Sequence, residues 1–356
     1  MGMIAHALER RGTGDQAKRS LGRIKMIRRR LTALMMGAFV IAAARAAILP
    51  AHAETPLKVM VFPSWSSLPL YASQSKGFFA QHGLSVEILH TPNSDVLRDG
   101  LAKGDHQIVH AAVDNAVAMA DVAKVDIAVI VGGDGGLNQL LVQPEIKSYE
   151  DLRGKTVVVD APDTAFAILL YKMLDVGGLK KDDYKVKPVG GTPLRLDAML
   201  KDKANAAAML NPPFSIKAES EGLKSLGWAI DVVGPYQSGA AWVMRSWAQA
   251  NRDTVVKYLQ AYVEGMRWTM NPANRAEAGR ILAERLKLPQ DVASRAYDLA
   301  SDQKQGFAKD AKFDAQGFRN VLKLRAELLG TWGGIPPSPE KYLDLSYYER
   351  ALASSR

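Results

Sequence analysis

Polar and aromatic residues recur in this sequence where a predicted strand ends and a helix begins. In an open α/β sheet, ligands bind beyond the carboxyl ends of the strands. We therefore expect these residues to line one cleft for a small molecule. The candidate ligand-binding residues are Ser64, Trp65, Ser66, Leu68, Asp114, Asn115, Asp163, Thr164, Phe166, Thr192 and Asn211.

Two threonines stand directly before helical runs, Thr164 before Ala165–Leu174 and Thr192 before Leu194–Leu200. The first turn of a helix offers free N–H groups and a favourable dipole to an anion. A sulfonate, carboxylate or nitrate could therefore be held by the two threonines and backbone amides without an arginine. The alternative is that Thr164, Thr192, Asp114 and Asp163 are ordinary helix caps.

The acidic and aromatic candidates restrict the kind of ligand. Asp114 or Asp163 could accept an amine, but either carboxylate would repel a simple anion placed close to it. Trp65 lies in a predicted loop, where its ring could stack on a ligand, and Phe166 is a weaker case. The alternative for Trp65 is packing against the first helix. We expect Trp65 to be the residue that contacts a solute, and the solute to be a zwitterion or a neutral aromatic compound.

The sequence contains little that predicts an enzyme. It has no cysteine, which excludes thiolate nucleophiles, disulfides and Cys-ligated zinc. The patterns HExxH, GxSxG, GxxxxGK and GxGxxG are also absent from it. His110 and Asp114 are four residues apart, but His110 falls in a predicted strand and is interpreted as a hydrogen-bonded core histidine. We predict no catalytic residue, no metal and no cofactor.

The elements that must position these residues alternate between strand and helix from Leu57 to Met244. Apolar runs of this kind indicate a sheet with a large parallel component, covered on both faces. The helix–turn–strand segments Leu97–Ala112 and Leu194–Leu210 echo each other, which predicts two α/β lobes of one architecture. Residues 54–143 with 235–356 are assigned to lobe 1 and the C-terminal helices, and residues 144–234 to lobe 2. Trp228–Val233 is predicted to be a strand, and only helices are predicted after Met244.

The first 53 residues are predicted to be a leader. Met26–Arg30 is basic, Ala33–Ala44 is uncharged, and Ala51–Ala53 supplies small residues for cleavage near Ala53. This order is typical of a signal peptide, and Met26 is a candidate for the true start. A membrane anchor and twin-arginine export are the alternatives. The leader carries ten Lys/Arg and two Asp/Glu, so the net charge of +9 falls to +1 in the remainder and nucleic-acid binding loses its support.

Several short motifs recur along the chain at the positions of the predicted elements. They are Pro69, Ala72, Gly77-Phe78-Phe79 and Gly83–Glu87 in the first lobe, Leu152–Lys155 and Leu210–Phe214 in the second, and Asn271-Pro272 with Glu277-Ala278 in the C-terminal part. Together these motifs resemble one family, the periplasmic solute-binding proteins for nitrate, sulfonates, taurine and thiamine-pyrimidine precursors. The similarity covers about residues 57–285. One departure is Gly104–Ile108, where the acidic position that many members carry is shifted or lost.

The resemblance implies a type II periplasmic binding fold, with two α/β lobes around a ligand cleft and a helical C-terminal part. It implies a periplasmic protein, expected to be monomeric, that delivers a small molecule to the permease and ATPase subunits of an ABC importer. The expected solute is a small organic anion or zwitterion of the sulfonate or taurine kind. A pyrimidine or aromatic acid precursor, a cysteine-independent enzyme and a sensory interaction module remain the alternatives.

Overall fold

The structure is a computed structural model that describes residues 54–354, so the predicted leader lies outside the described residues. Ten strands of the described part form two five-stranded sheets. The strands are β1 (Thr55–Val61), β2 (Leu84–His90), β3 (Ile108–Ala112), β4 (Ile127–Asp134), β5 (Gln139–Val142), β6 (Thr156–Val159), β7 (Lys185–Pro188), β8 (Asn205–Leu210), β9 (Lys224–Trp228) and β10 (Gly239–Met244).

The two sheets have matching arrangements, which confirms the predicted two-lobed α/β architecture. The first sheet has the order β2-β1-β3-β10-β4 and the second β7-β6-β8-β5-β9. In each, one strand pairs in parallel with two neighbours, β1 with β2 and β3, and β6 with β7 and β8. An antiparallel strand, β10 or β5, then joins the next strand.

The chain crosses between the sheets twice. It leaves the first sheet between Asp134 and Gln139, and it returns between Trp228 and Gly239. The structure therefore places the first crossing before residue 139, whereas the sequence assigned residues up to 143 to lobe 1. The apolar pattern of β5 indicates burial, but it does not reveal that β5 pairs with β8 and β9 of the second sheet.

Helices surround both sheets. The helices of the described part are α1 (Leu68–Ser75), α2 (Phe78–Gln81), α3 (Ser94–Lys103), α4 (Asp114–Asp121), α5 (Ala165–Val176), α6 (Thr192–Lys201), α7 (Phe214–Ser220), α8 (Ala229–Val233), α9 (Arg245–Ala250), α10 (Arg252–Met270), α11 (Arg275–Leu286), α12 (Gln290–Ala300), α13 (Ala315–Leu329) and α14 (Ser346–Ala353). Within residues 54–354, no helix combines the length and the apolar character needed to cross a membrane.

Alternating side chains connect the first sheet to two layers of helices. On β3, Ile108 belongs to a buried cluster with Tyr258 of α10, whereas Val109 belongs to a cluster with Phe318 of α13. Successive side chains of a strand point to opposite faces, so this sheet is covered on both sides. Helix α10 packs against α1, and α13 packs against α5 of the second lobe.

Two predictions near the end of the second lobe and the chain differ from the structure. The predicted strand Trp228–Val233 is a helix from Ala229 onward, and the strand is Lys224–Trp228 instead. The β-branched pair Val232-Val233 favours a strand, but tertiary packing overrides such a local preference. Ser346–Ala353 forms a further C-terminal helix that the sequence analysis did not predict.

Candidate functional site

A cavity lies between the two sheets, and its empty space, counted together with its opening to solvent, is about 660 Å³. Residues at the carboxyl ends of β1, β3, β4, β6 and β8 line it, as expected for ligand sites in open α/β sheets. Its lining consists of Phe62, Pro63, Ser64, Ser66, Ser94, His110, Ala111, Ala112, Asn115, Asp134, Gly136, Asp160, Thr164, Ala165, Phe166, Gly191, Thr192, Pro193, Arg195, Asn211, Ser238 and Gly239.

The structure brings seven of the eleven predicted site residues to this cavity. They are Ser64, Ser66, Asn115, Thr164, Phe166, Thr192 and Asn211. Their contact with a solute stays a prediction. The other four predicted residues, Trp65, Leu68, Asp114 and Asp163, do not line the cavity.

Trp65, which the sequence analysis favoured most, is a core residue. It opens a short 3₁₀ turn, Trp65–Ser67, that directs its ring inward, and its exposure is 0%. The ring lies 4.8 Å from that of Phe307, centroid to centroid. Leu68, the first residue of α1, is equally buried. Trp65 therefore packs in the core, as the alternative supposed. Its aromatic partner, however, comes from the C-terminal part of the chain and not from the first helix.

Asp114 is committed to a buried ion pair rather than to the cavity. Nη1 of Arg325 in α13 lies 2.8 Å from both carboxylate oxygens, and both side chains are almost fully buried. The same nitrogen donates to the backbone carbonyl of Asp163 at 3.0 Å. The Asp163 carboxylate is 3.7 Å from Arg98. Neither predicted acid is thus available to an amine in the cavity.

The two threonines lie at the starts of helices but do not act as caps. Thr164 precedes α5, and its hydroxyl donates to the carbonyl of Ala161 at 3.0 Å rather than accepting an N–H of the helix. Gly191 occupies the position before α6, so Thr192 is the first helical residue and not the cap. Both helix starts border the cavity. The first N–H groups of α5 have no partner within the helix. At α6, Pro193 has no N–H and the N–H of Leu194 donates to the carbonyl of Gly191 at 3.0 Å, which leaves that of Thr192.

Arg195 is the cation that the sequence analysis missed. Its guanidinium donates to the carbonyls of Gly190 at 2.7 Å and Met209 at 3.1 Å, and to the hydroxyl of Thr192 at 3.0 Å. It also lies over the ring of Phe166, 4.7 Å from the centroid. Burial lowers the pKa of Arg195 to about 10, which keeps it charged at neutral pH. Arg195 lies in the first turn of α6, which begins at the predicted site residue Thr192, and this position could have indicated it from the sequence.

Two acids of the cavity wall, Asp134 and Asp160, are not among the predicted ligand-binding residues, although Asp160 opens the loop that contains Thr164. Oδ2 of Asp160 accepts a 2.5 Å hydrogen bond from the hydroxyl of Ser94, and its Oδ1 has no partner among the described residues. Asp134 accepts hydrogen bonds from the backbone N–H groups of Gly136 and Gly239, and burial raises its pKa to about 7. Each acid ends a buried apolar strand, which was the sequence signal for both.

His110 is neutral and hydrogen-bonded, as the sequence indicated, but it lies half-buried in the cavity wall and not in the core. One of its ring nitrogens, Nε2, is 2.8 Å from the hydroxyl of Tyr258. Burial lowers the pKa of His110 to about 3. Among the described residues, no group of three or more His, Cys, Asp or Glu side chains could hold a metal ion.

Hydrogen bonds join the two lobes at the edge of the cavity. The N–H of Gly191 donates to the carbonyl of Pro92 at 3.0 Å. Nδ2 of Asn211 donates to the hydroxyl of Ser64 at 3.2 Å, beside the bond from Ser94 to Asp160. These bonds connect residues of different sheets, so the lobes are closed on each other around the site.

This arrangement of two crossed-over α/β lobes around a cavity is the type II periplasmic binding fold. Three solved structures share it. A protein of Bordetella bronchiseptica RB50 matches with a TM-score of 0.74 and 20% identity over 85% of this chain and 98% of that one. The nitrate-binding protein NrtA of Synechocystis PCC 6803 matches at 0.70 and 16%, over 85% and 89%. The MOPS-bound alkanesulfonate-binding protein SsuA of Xanthomonas axonopodis matches at 0.65 and 18%, over 82% and 97%.

The chain belongs to the NMT1/THI5 like family, whose model matches residues 65–276. A Brachyspira hyodysenteriae protein named as an ABC transporter periplasmic binding protein is 24% identical over 226 residues, or 59% of this chain. The bicarbonate transport ATP-binding protein CmpC of a Synechocystis strain is 23% identical over 257 residues, or 66% of this chain. The matches span 64% and 38% of the length of these two relatives.

Proposed function

We propose that this protein is the periplasmic solute-binding component of an ABC importer and delivers a small molecule to the permease and ATPase subunits. The observation that carries the proposal is the cavity, because its lining comes from strand ends of both lobes. Clefts between lobes are preferred sites for small molecules. The family and the name of the Brachyspira relative support the same assignment. We propose that the protein acts as a monomer.

The ligand that fits the cavity best is a small organic zwitterion, such as an amino sulfonate of the taurine kind. The first turn of α5 offers its free N–H groups to an anionic end, and the start of α6 adds the N–H of Thr192. Asp134 and Asp160 offer oxygens to an amine. A bare anion fits less well, because the donors of Arg195 are directed to Gly190, Met209 and Thr192.

A pyrimidine or an aromatic acid is the second ligand class, and Phe166 favours it. Its ring lines the cavity and is partly exposed. Arg195 covers one face of this ring, which leaves the other face for stacking. A flat heteroaromatic ligand with N–H groups would use Phe166 and the same acids.

Binding without turnover is the function that the wall residues support. His110 is neutral and directed to Tyr258, so it is poorly suited to act as a base. Thiolate chemistry is excluded because the sequence contains no cysteine. If the protein were a sensory module that has lost its ligand, substitutions in the cavity would change the binding of no compound.

The test is a thermal-shift screen of sulfonates, taurine, nitrate, amino acids and pyrimidines. A ligand that binds only the folded state adds RT ln(1 + [L]/Kd), about 2.7 kcal/mol at 100 times Kd. We expect a shift that Phe166→Ala and Thr192→Ala reduce, and that Thr254→Ala on α10, outside the cavity, leaves unchanged. No shift with any compound would contradict the proposal, and turnover of a bound compound would indicate an enzyme.

A further inference from the structure

We propose that Asp134 selects the solute by binding a cationic N–H group, a primary amine or an amidine. The inference rests on the proposed function and deepens it. It assigns a role to a residue at the end of β4 that borders the cavity. It also states which end of a zwitterion the first lobe recognises.

Asp134 is buried without a cation beside it. Its residue exposure is 6%, and its carboxylate accepts hydrogen bonds from the backbone N–H groups of Gly136 and Gly239. Among residues 54–354, no lysine, arginine or histidine forms an ion pair with it. Buried carboxylates are normally paired, as Asp114 is with Arg325.

The backbone around Asp134 leaves room for its carboxylate. A Cβ atom added to Gly239 would lie 1.8 Å from Oδ2 of Asp134. Gly136 has a φ of +109°, and a Cβ there would lie 2.8 Å from the hydroxyl of Ser238. Both glycines also donate an N–H to the carboxylate. A side chain at position 239 would displace Asp134 from the cavity wall, and one at position 136 would collide with Ser238 and Asn138 beside it.

The rest of the cavity wall contains hydrogen-bond acceptors that have no donor. Oδ1 of Asp160, Oδ1 of Asn115 and Oδ1 of Asn211 are buried and have no hydrogen-bond partner among the described residues. All three residues are at least nine-tenths buried and line the cavity. A buried acceptor without a donor costs free energy, so this surface fits a solute that brings N–H groups.

Among the described residues, the cavity wall has no cationic side chain that is free to pair with Asp134 in place of a solute. His110 is neutral, and the guanidinium of Arg195 is held by two carbonyls and a hydroxyl. A charged ammonium or amidinium would therefore be the counter-ion of Asp134. Hydrogen bonds between charged groups are about twice as strong as neutral ones.

The test uses pairs of compounds that differ in one nitrogen group. Taurine is compared with ethanesulfonate, glycine with acetate, and 4-aminopyrimidine with pyrimidine. Binding to the protein is measured by thermal shift and by calorimetry, for the unmodified chain and for Asp134→Asn. The matched control is Asp99→Asn, which removes an exposed carboxylate on α3 outside the cavity.

We expect binding to be confined to the amine-bearing member of a pair. Asp134→Asn should weaken that binding at least about tenfold, and Asp99→Asn should leave it unchanged. Unfolding of the ligand-free variant checks that Asp134→Asn folds, and if it does not, the comparison of pairs on the unmodified chain decides. Equal binding of both members of a pair would overturn the inference but leave solute binding intact. No binding by any of the six compounds counts against the inference, and the proposed function fails only if the wider screen is also negative.

Discussion

The hydroxyl of Ser94 donates a 2.5 Å hydrogen bond to Oδ2 of Asp160, joining the start of α3 in the first lobe to the end of β6 in the second. Both residues are buried and line the cavity. The N–H of Gly191 donates to the carbonyl of Pro92, two residues before Ser94, so a second hydrogen bond joins the lobes at this contact. These bonds exist only while the lobes are closed, and their energy therefore contributes to the affinity for a solute that requires closure.

Ser94→Ala should lower solute affinity more than it lowers folding stability. The variant leaves Oδ2 of Asp160 without its donor, and a hydrogen bond to a charged group contributes about 1.5–3 kcal/mol. We expect Kd to rise about tenfold. At a solute concentration near the Kd of the unmodified chain, small-angle scattering should show a larger radius of gyration for the variant, because a smaller fraction of it is closed. Ser220→Ala, an exposed serine on α7, is the control. An unchanged Kd would mean that the contact does not contribute to closure.

Trp65→Ala should destabilise the fold rather than change which solute binds. The side chain is fully buried against Phe307, and removal of a buried tryptophan costs about 3–5 kcal/mol. Trp65→Phe should cost less, because it keeps part of the ring contact. Urea unfolding measures the loss. A variant of unchanged stability with an altered solute profile would return Trp65 to the binding surface.

The sequence predicted the order of strands and helices well because apolar runs and helix-terminal residues are local signals. It also placed the cleft at the carboxyl ends of the strands, which depends only on chain direction. Asn211 and Thr192 were found in this way. Asp134 and Asp160 also stand at the carboxyl ends of strands, β4 and β6. They were not selected, because the site residues were chosen mainly from positions next to predicted helices.

The errors concern residues whose partners are distant in sequence. Asp114 was interpreted as an acid for a ligand, but it pairs with Arg325, 211 residues later. Nothing near Arg325 in the apolar face of α13 indicates this pairing. Trp65 likewise contacts Phe307 across most of the chain. Local patterns give the position of a side chain on an element, whereas its direction depends on what the fold brings opposite to it.

Arg325→Met should be among the most destabilising single substitutions in this protein. It leaves Asp114 buried without a cation and removes the bond to the carbonyl of Asp163. Breaking a buried ion pair on one side costs about 3–5 kcal/mol. Urea unfolding should show the loss at neutral pH.

The double variant Asp114→Asn with Arg325→Met checks the cause. Without the carboxylate, no buried charge is left unpaired, and we expect most of the lost stability to return. Lys172→Met, which breaks the more exposed contact with Glu327, serves as the comparison and should cost about 1 kcal/mol or less. Additive losses in the double variant would contradict a direct pairing of Asp114 with Arg325.

Stability of the ligand-free protein should depend on pH through Asp134. Burial raises its pKa from 3.8 to about 7, so between these values the folded state holds a proton that the unfolded state has released. The contribution of Asp134 to the free energy of unfolding therefore falls as pH rises from about 4 to 7 and is level above about 7. The full difference corresponds to about 4 kcal/mol at about 1.4 kcal/mol per pKa unit. Tyr262 and His110, which lie nearby, stay neutral in this range, because burial raises the pKa of Tyr262 and lowers that of His110 to about 3.

Asp134→Asn should remove this dependence and make the ligand-free protein more stable than the unmodified chain above about pH 7. An amine-bearing solute should shift Asp134 of the unmodified chain from the protonated to the ionised form, because the positive charge of the amine favours a carboxylate. Its affinity should then rise with pH up to about 7, and binding below that pH should release a proton from Asp134. Calorimetry in two buffers of different ionisation enthalpy measures the proton, and unfolding at several pH values measures the stability. If affinity fell as pH rose, the solute would be bound by the protonated carboxyl group, and an amine would be excluded as its partner.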